Sequence, residues 1–416
     1  MGYQEEPEEK KDDYAFLQET IKDENGGHNK LRNIVLKYAG VGLVFGLAAC
    51  IGFCALKPWA EEKFAGNPQK ITIPEEEEEE TEAEGQGETQ EAQTLTVEDY
   101  EEMNRALINI GNTVNRSIVE IRAEGSGKES DEEPAVSSAA GVLFEDNGTE
   151  LLILGSSRVL SGSANITVKL ADGKTYPASL KKRDDNLGIA VLAVAKNTVS
   201  ESAWNQIQIA TLGSSNSILK GEVILALGSP FGYYGGMGIG IAASTANRVM
   251  KYDGQYDLIC TDIPSSQAGT GILADTDGQI VGIIDQTLLD EEGQGQVIAY
   301  GISDLKKAVE FLSNNKAVPY LGILSVTVTE DLAEQQGLPE GIYVQEVAAD
   351  SPAMKAGIQS GDVITRIGKT SISTLSGYTN ALMELDAGKE IKVEGKRQGN
   401  GGYVDIDFTV AIGSKE

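Results

Sequence analysis

The middle of the chain is interrupted too often to be helical. Between residues 139 and 288 run "AAGVLFEDNG", "TELLILG", "ANITVKLADGKTYPASL", "GIAVLAV", "GEVILALGSPFG" and "QIVGIIDQTL". Each holds a short cluster of β-prone residues, and Asp-Asn-Gly, Asp-Gly and Gly-Ser-Pro break the chain between them. Helices of ordinary length do not survive that density of breakers, whereas short strands do. Many strands at such spacing predict an all-β barrel or sandwich. Residues 303–315, "SDLKKAVEFLSNN", read as a capped amphipathic helix that closes this region. From about residue 318 the pattern changes again. Strand-like "YLGILSVTV", "GIYVQEV", "DVITRIG", "IKVEGKR" and "YVDIDFTVAI" alternate with helical "SPAMKAGI" and "TLSGYTNALMEL", enough for one small α+β domain.

What precedes the strands is of another kind. Residues 1–33 are charged and punctuated by Gly and Asn, which predicts a disordered tail. Residues 38–56, "YAGVGLVFGLAACIGFCAL", carry no charge over a length that crosses a bilayer as a helix, so a transmembrane span is predicted within 34–57. Lys30, Arg32 and Lys37 precede it and Lys57 and Lys63 follow, a slight bias that places the N-terminus in the cytoplasm. "LAAC", ending at Cys50, offers lipidation as a rival anchor. Residues 58–95 form an acidic linker in which six successive glutamates repel one another. Thr96 and Asp99 then make a capping box, and Tyr100, Met103, Leu107, Ile110 and Val114 follow at helical spacing.

At 416 residues the chain predicts two or three domains. Its net charge of −30 argues against nucleic acid as a partner. Of three cysteines only Cys260 lies beyond the apolar run, so the C-terminal part has no disulfide framework, and Cys260 reads as a buried strand residue. Histidine is the informative count. There is one, His28, in the N-terminal tail.

Several segments, in order, resemble those of the HtrA/DegP family of PDZ serine proteases: "AAGVLFEDNG", "DDNLGIAVLAV", "LGSSNSILKGEVILALGSPFG", "TDIPSSQAGTGILADTDGQIVGI" and "DSPAMKAGIQSGDVITRIGKTSI". The resemblance covers roughly residues 105–413. It implies a chymotrypsin-like double β-barrel over 96–316, a PDZ domain over 318–413, and a membrane-anchored member with its C-terminal domains outside the cytoplasm. It also implies trimeric assembly, with itself or with HtrA-like relatives.

The family's chemistry uses a serine nucleophile, a histidine that moves its proton, and an aspartate that orients the histidine. The run matching the family's histidine segment is "LGSSRVL", where Arg158 holds the place; a guanidinium does not act as a base near neutrality. The family's aspartate position falls on Gly188 in "NLGIAVL", and its serine position on Gly269 in "QAGTGIL". The family's proline after the serine becomes Ile272. The segment is about one residue short, which leaves Ser265 and Ser266 as shifted nucleophile candidates. A Ser–Lys dyad using either serine with Lys251 is the surviving enzymatic alternative, and it needs a buried lysine. Cys260 lacks the histidine that a Cys–His nucleophile requires. Arg158 is either a solvated or salt-bridged surface arginine, or one that fills the former cleft and pairs with a carboxylate such as Asp184 or Asp185. No cofactor or metal is expected, since the barrel lacks His ligands and clustered carboxylates.

By the same resemblance, Tyr320, Leu321, Gly322 and Ile323 form the loop that receives a peptide's terminal carboxylate. Glycine permits the turn, and successive N–H groups converge on an anion. The strand that follows, with Leu324 and Ser325, would accept a peptide as an added strand. Tyr378 and Leu382, at i, i+4 on the helix near residues 374–385, would form the other wall. The implied partners are protein C-termini or extended polypeptides. The sequence thus points to a membrane-anchored, extracytoplasmic HtrA-like pseudoprotease acting in envelope protein quality control. A serine endopeptidase with a non-standard nucleophile is the alternative.

Overall fold

The computed structural model describes residues 69–72, 96–125, 136–288 and 295–416. The predicted tail and span, most of the acidic linker, His28 and Cys50 lie outside the described residues. Among the described residues no helix is long and apolar enough to cross a membrane.

Helix α1 (Val97–Val114) opens the folded part. Its capping box closes as the sequence predicts: the Asp99 N–H donates to the Thr96 hydroxyl, and the Asp99 carboxylate accepts from the Thr96 N–H at 2.9 Å. Tyr100 and Met103 stay exposed, and only Gly111 and Val114, at its C-terminal end, are buried. Gly111 lies where a Cβ would stand 2.3 Å from the Met237 sulfur, so the absence of a side chain lets the helix seat there.

Strands β1 (Ile118–Gly125), β2 (Val136–Asp146), β3 (Glu150–Ser156), β4 (Ser163–Lys169), β5 (Thr175–Pro177), β6 (Ser179–Asp184) and β7 (Ile189–Ala195) form an antiparallel seven-stranded sheet in the order β5-β4-β1-β2-β3-β7-β6. A second set comprises β8 (Val223–Ser229), β9 (Gly236–Lys251), β10 (Gly254–Pro264), β11 (Thr270–Ala274), β12 (Ile280–Asp285) and β13 (Gln296–Gly301). These six close completely into a barrel, β10-β13-β12-β11-β8-β9. The first sheet is not laddered shut between β5 and β6. There β5 is three residues long and ends on Pro177, which has no N–H to donate.

Why these strands read as unbroken apolar runs is visible in β7. Ala190, Leu192 and Val194 enter the core of the first sheet, while Ile189, Val191 and Ala193 enter a core shared between the two sets. Strand β8 does the same on the other side, with Ile224 and Ala226 inside the second barrel and Leu225 and Leu227 in the shared core. Period-2 alternation puts both faces of such a strand out of water.

Helix α2 (Ile302–Ser313) closes the barrel region. The expected serine cap is not there: Gly301 is the N-cap, without a side-chain bond. Ser303 sits inside the first turn, where it exchanges hydrogen bonds with Ser215, N to hydroxyl in both directions. The last unit has a sheet in the order β14 (Ile323–Thr327), β15 (Ile342–Val347), β16 (Val363–Ile367), β18 (Glu390–Gly399) and β19 (Gly402–Ala411), with β17 (Thr370–Ser371) on β16. The two expected helices are Pro352–Ala356 and α3 (Leu375–Met383), and a third, Glu330–Gln336, joins them. Strand β14 is an edge strand.

Candidate functional site

Arg158, Gly188 and Gly269 come from three different places in the chain and face one cleft. Arg158 starts a single 3-10 turn after β3, Gly188 precedes β7, and Gly269 precedes β11. All three line a cavity of about 210 Å³ together with Asp285 and Tyr300. The Arg158 guanidinium bridges it: Nη1 donates to Asp285 Oδ1 at 2.5 Å, tying the first sheet to the closed barrel. The Asp285 carboxylate also accepts from the Thr287 N–H at 3.0 Å and the Thr287 hydroxyl at 2.9 Å.

The pairing of Arg158 with Asp184 or Asp185 is therefore corrected. Asp184 is buried and accepts the Leu187 N–H at 2.8 Å; Asp185 pairs with Arg183 at 3.2 Å. Burial pushes the Asp184 carboxyl up to about 7; the N–H donors of Leu187 and Asn186 oppose this, and the charges of Asp185 and Asp253 add to it.

At the two glycines the backbone resists a side chain. Gly188 has φ +75°, and a Cβ there would lie 3.4 Å from an Arg158 nitrogen and 3.5 Å from an Asp285 oxygen. A Cβ on Gly269 would lie 2.7 Å from the Pro230 carbonyl oxygen and 2.9 Å from that of Ser266. The loop before β11 is folded on itself and against the turn after β8. The Ser266 N–H donates to the Pro230 carbonyl, the Gly269 N–H to the Ser266 carbonyl, and the Ala268 N–H to the Ser266 hydroxyl. Oxyanion stabilisation needs such N–H groups turned toward one point in the cleft. Ile272 is buried in the shared core.

Ser265 donates its hydroxyl to the carbonyls of Pro230 and Ser266, both at 3.1 Å. Lys251, its proposed partner, ends β9 and pairs in register with Gly254 at the start of β10, whereas Ser265 follows the far end of β10. Burial lowers the Lys251 ammonium, the Asp285 charge opposes this, and Arg158 adds to it. Cys260 is half-buried and accepts a hydrogen bond from the Asn247 side chain; its thiol is pushed up, chiefly by burial.

The second candidate site is the loop before β14 together with α3, where the sequence places a peptide groove. Gly322 has φ +88°, and a Cβ on it would lie 2.5 Å from Ser351 Cβ, so only glycine fits the turn. The N–H groups of Leu321, Gly322 and Ile323 do converge on an anion, and that anion is the side chain of Asp253. Oδ2 accepts from Leu321 at 2.8 Å and Gly322 at 2.7 Å; Oδ1 accepts from Ile323 at 3.1 Å and from the Tyr378 hydroxyl at 2.6 Å. Burial raises the Asp253 carboxyl above its ordinary range, against the pull of these four donors, Tyr378 first among them. Tyr378 is raised in turn, by burial and then by the Asp253 charge.

The other expected groove residues divide. Leu321, Ile323, Tyr378 and Leu382 are all buried in the core of the last unit, so the apolar wall they form is continuous with that core. Tyr320 stacks edge-on against Tyr252 of the closed barrel, with centroids 6.4 Å apart. Leu324 is half-exposed on the edge strand, and Ser325 is buried with its hydroxyl unbonded.

Asp253 is the residue that sequence reasoning missed. "YDGQY" signals a hairpin turn by its Asp-Gly, and the structure places a turn there between β9 and β10. Nothing in that signal points to a loop 68 to 70 residues further along the chain.

An antiparallel seven-stranded sheet and a closed six-stranded barrel, followed by an α+β unit, have the architecture of a trypsin-like peptidase fold joined to a PDZ-type module. The comparisons agree. Residues 139–283 match the trypsin-like peptidase domain model and 319–408 the PDZ domain model. The chain is 27% identical over 319 residues to the serine protease Do-like HtrA of Bacillus subtilis, covering 72% of this chain and 69% of the relative. It is 30% identical over 287 residues to a probable periplasmic serine endoprotease, DegP-like, of Pseudomonas savastanoi, covering 67% of this chain but only 57% of that relative. Among solved structures it resembles the HtrA-type protease AlgW with tripeptide, at 26% identity and a TM-score of 0.52, over 74% of this chain and 96% of that one. The protein is HtrA/DegP-like: a trypsin-like serine protease domain with a C-terminal PDZ domain.

Proposed function

We propose that this chain is a pseudoprotease of the HtrA type, in which the first sheet and the closed barrel form a scaffold and the PDZ domain captures protein C-termini or extended segments. The observation that carries this is the histidine count. The chain has one, His28, far outside the trypsin-like region, so an imidazole is missing where hydrolysis needs a proton acceptor and donor. Three features of the cleft support it. Arg158 is committed to Asp285, Gly188 and Gly269 carry no side chains, and the loop before β11 bonds to itself.

We further propose that residues 34–57 anchor the chain in a membrane with the folded part outside the cytoplasm, an envelope setting in line with the periplasmic naming of the DegP-like relatives. Domain limits at 96–316 and 318–413, and assembly with itself or with HtrA-like proteins, belong to the same proposal.

The competing function is a serine endopeptidase using Ser265 or Ser266 with Lys251. The relatives' naming as serine proteases and the lowered Lys251 ammonium favour it. The bonding of Ser265 to two carbonyls and its position at the opposite end of β10 from Lys251 oppose it. Fluorophosphonate labelling with a casein-cleavage assay separates the two. Silence in both is expected; a serine adduct accompanied by cleavage, lost on Ser265→Ala or Ser266→Ala, overturns the pseudoprotease reading.

A further inference from the structure

The contact between Asp253 and the loop before β14 has the chemistry of a bound chain end. A terminal carboxylate captured by a PDZ loop needs N–H donors at 2.7–3.1 Å, and Asp253 already holds three of them at 2.8, 2.7 and 3.1 Å. The main chain joins in as an added strand would: the Asp253 N–H donates to the Ile323 carbonyl at 2.8 Å, on the outer edge of β14. The Thr379 hydroxyl of α3 donates to the Asp253 carbonyl at 3.0 Å, so both groove walls grip the same residue. Met250 of the same hairpin packs against the apolar core of the last unit. Asp253 itself sits at φ +65°, a left-handed conformation that turns the hairpin tip and presents the carboxylate. Burying a carboxylate is unfavourable unless donors replace its water, and here four do.

We propose that Asp253 is the resident ligand of the PDZ carboxylate loop, and that an external polypeptide with a free α-carboxylate and an apolar last residue enters only by displacing the β9–β10 hairpin. This rests on the assignment of Tyr320, Leu321, Gly322 and Ile323 as the carboxylate loop. The same N–H groups do not serve two carboxylates at once, so internal and external ligand exclude each other. Apparent affinity for a chain end is then reduced by the fraction of molecules in which the loop is already filled. The partner chemistry is specified too. A C-terminal amide, lacking the anion, does not compete.

The test uses the full chain in detergent, with Asp253→Gly and Asp253→Asn. Glycine accepts the left-handed backbone without strain, and asparagine keeps the shape while turning an NH₂ toward donors. The probe is a fluorescein-labelled octapeptide ending in methionine, with a free carboxylate or amidated. Circular dichroism checks that each variant folds. Anisotropy is expected to show the free-acid peptide binding D253G about tenfold or more tightly than wild type, with D253N between them and no binding of the amide. Hydrogen exchange by mass spectrometry over residues 320–324 is expected to be slow in wild type, fast in D253G, and slow again when peptide is added. Equal affinity in wild type and D253G overturns the inference while leaving chain-end capture standing. Fast exchange in wild type overturns it as well. Fast exchange in D253G without peptide binding by any form upholds the internal contact and sinks the displacement step, along with the capture of chain ends.

Discussion

Replacing Arg158 by alanine tests whether the cleft is held shut by charge. The Arg158–Asp285 contact is 2.5 Å, with the arginine side chain 45% exposed and the aspartate 11%. Two unit charges about 4 Å apart interact by about 4 kcal/mol at an effective dielectric constant of about 20. Half of the guanidinium faces water, which screens the pair toward the surface value of below about 1 kcal/mol. The aspartate end is buried, and losing the partner of a buried charge costs about 3–5 kcal/mol. Two Thr287 donors remain on the Asp285 carboxylate and soften that loss. The balance predicts about 2 kcal/mol of destabilisation for Arg158→Ala and less for Asp285→Asn, which removes the charge it would otherwise strand. A double-mutant cycle by urea unfolding, read from Trp204 in the first unit, should give a coupling of about 1–2 kcal/mol. A coupling under about 0.3 kcal/mol refutes the idea that this ion pair braces the two halves of the cleft.

Two further outcomes follow from the same geometry. Rebuilding a triad by Arg158→His, Gly188→Asp and Gly269→Ser should leave casein uncleaved, because a Cβ at 269 meets the Pro230 oxygen at 2.7 Å and residue 188 sits at φ +75°; measurable turnover by the triple variant would show that the loop relaxes. Asp184 has its folded-state pKa raised from 3.8 to about 7, so its contribution to stability is fully present below about pH 3.8 and is lost as pH rises toward 7. Relative to Asp184→Asn, the wild type should lose up to about 1.4 kcal/mol per pH unit across that window and nothing more above it; parallel stability curves from pH 4 to 7 would contradict the burial argument.

What the sequence made legible was whatever depends on neighbours along the chain. The capping box of Thr96 and Asp99 closes, and the apolar runs that become β3, β7 and β8 are strands because both their faces are buried. Strand β9 was not legible. "GMGIGIAASTANRVMK" is rich in glycine and small polar residues, and its place in the barrel comes from pairing with β8 and β10 over its full length. Helix α2 shows the limit of local capping rules: Ser303 suits a cap, yet a tertiary exchange with Ser215 claims its hydroxyl. In the cleft, Arg158, Gly188 and Gly269 could be named from sequence because the segments around them, "LGSSRVL", "NLGIAVL" and "QAGTGIL", resemble family segments. The partner of Arg158 could not be, since Asp285 lies 127 residues away and Asp184 and Asp185 are the nearer acids.

The two candidate sites share one feature. In each, a place that a substrate or peptide would occupy in a working protease–PDZ pair is bridged by an aspartate from the closed barrel: Asp285 meets Arg158, and Asp253 meets the N–H groups of Leu321, Gly322 and Ile323. The chain's end adds a third tie. The Lys415 carbonyl accepts from the Asp185 N–H at 2.8 Å, and Lys182 pairs with Glu416 at 2.8 Å, so the last residues of the PDZ unit are stitched back to the first sheet. On the pseudoprotease reading, the molecule gains little from a preformed active site. Its usable free energy lies in the contact at Asp253, where a chain end offering a better-placed carboxylate would exchange one set of hydrogen bonds for another at small net cost. On that proposal, releasing Asp253 would uncover the tip of the hairpin, where Lys251 pairs with Gly254. Capture of a polypeptide by the PDZ unit would then alter the barrel surface rather than cut the polypeptide, which is the kind of output a scaffold can transmit to a neighbouring subunit.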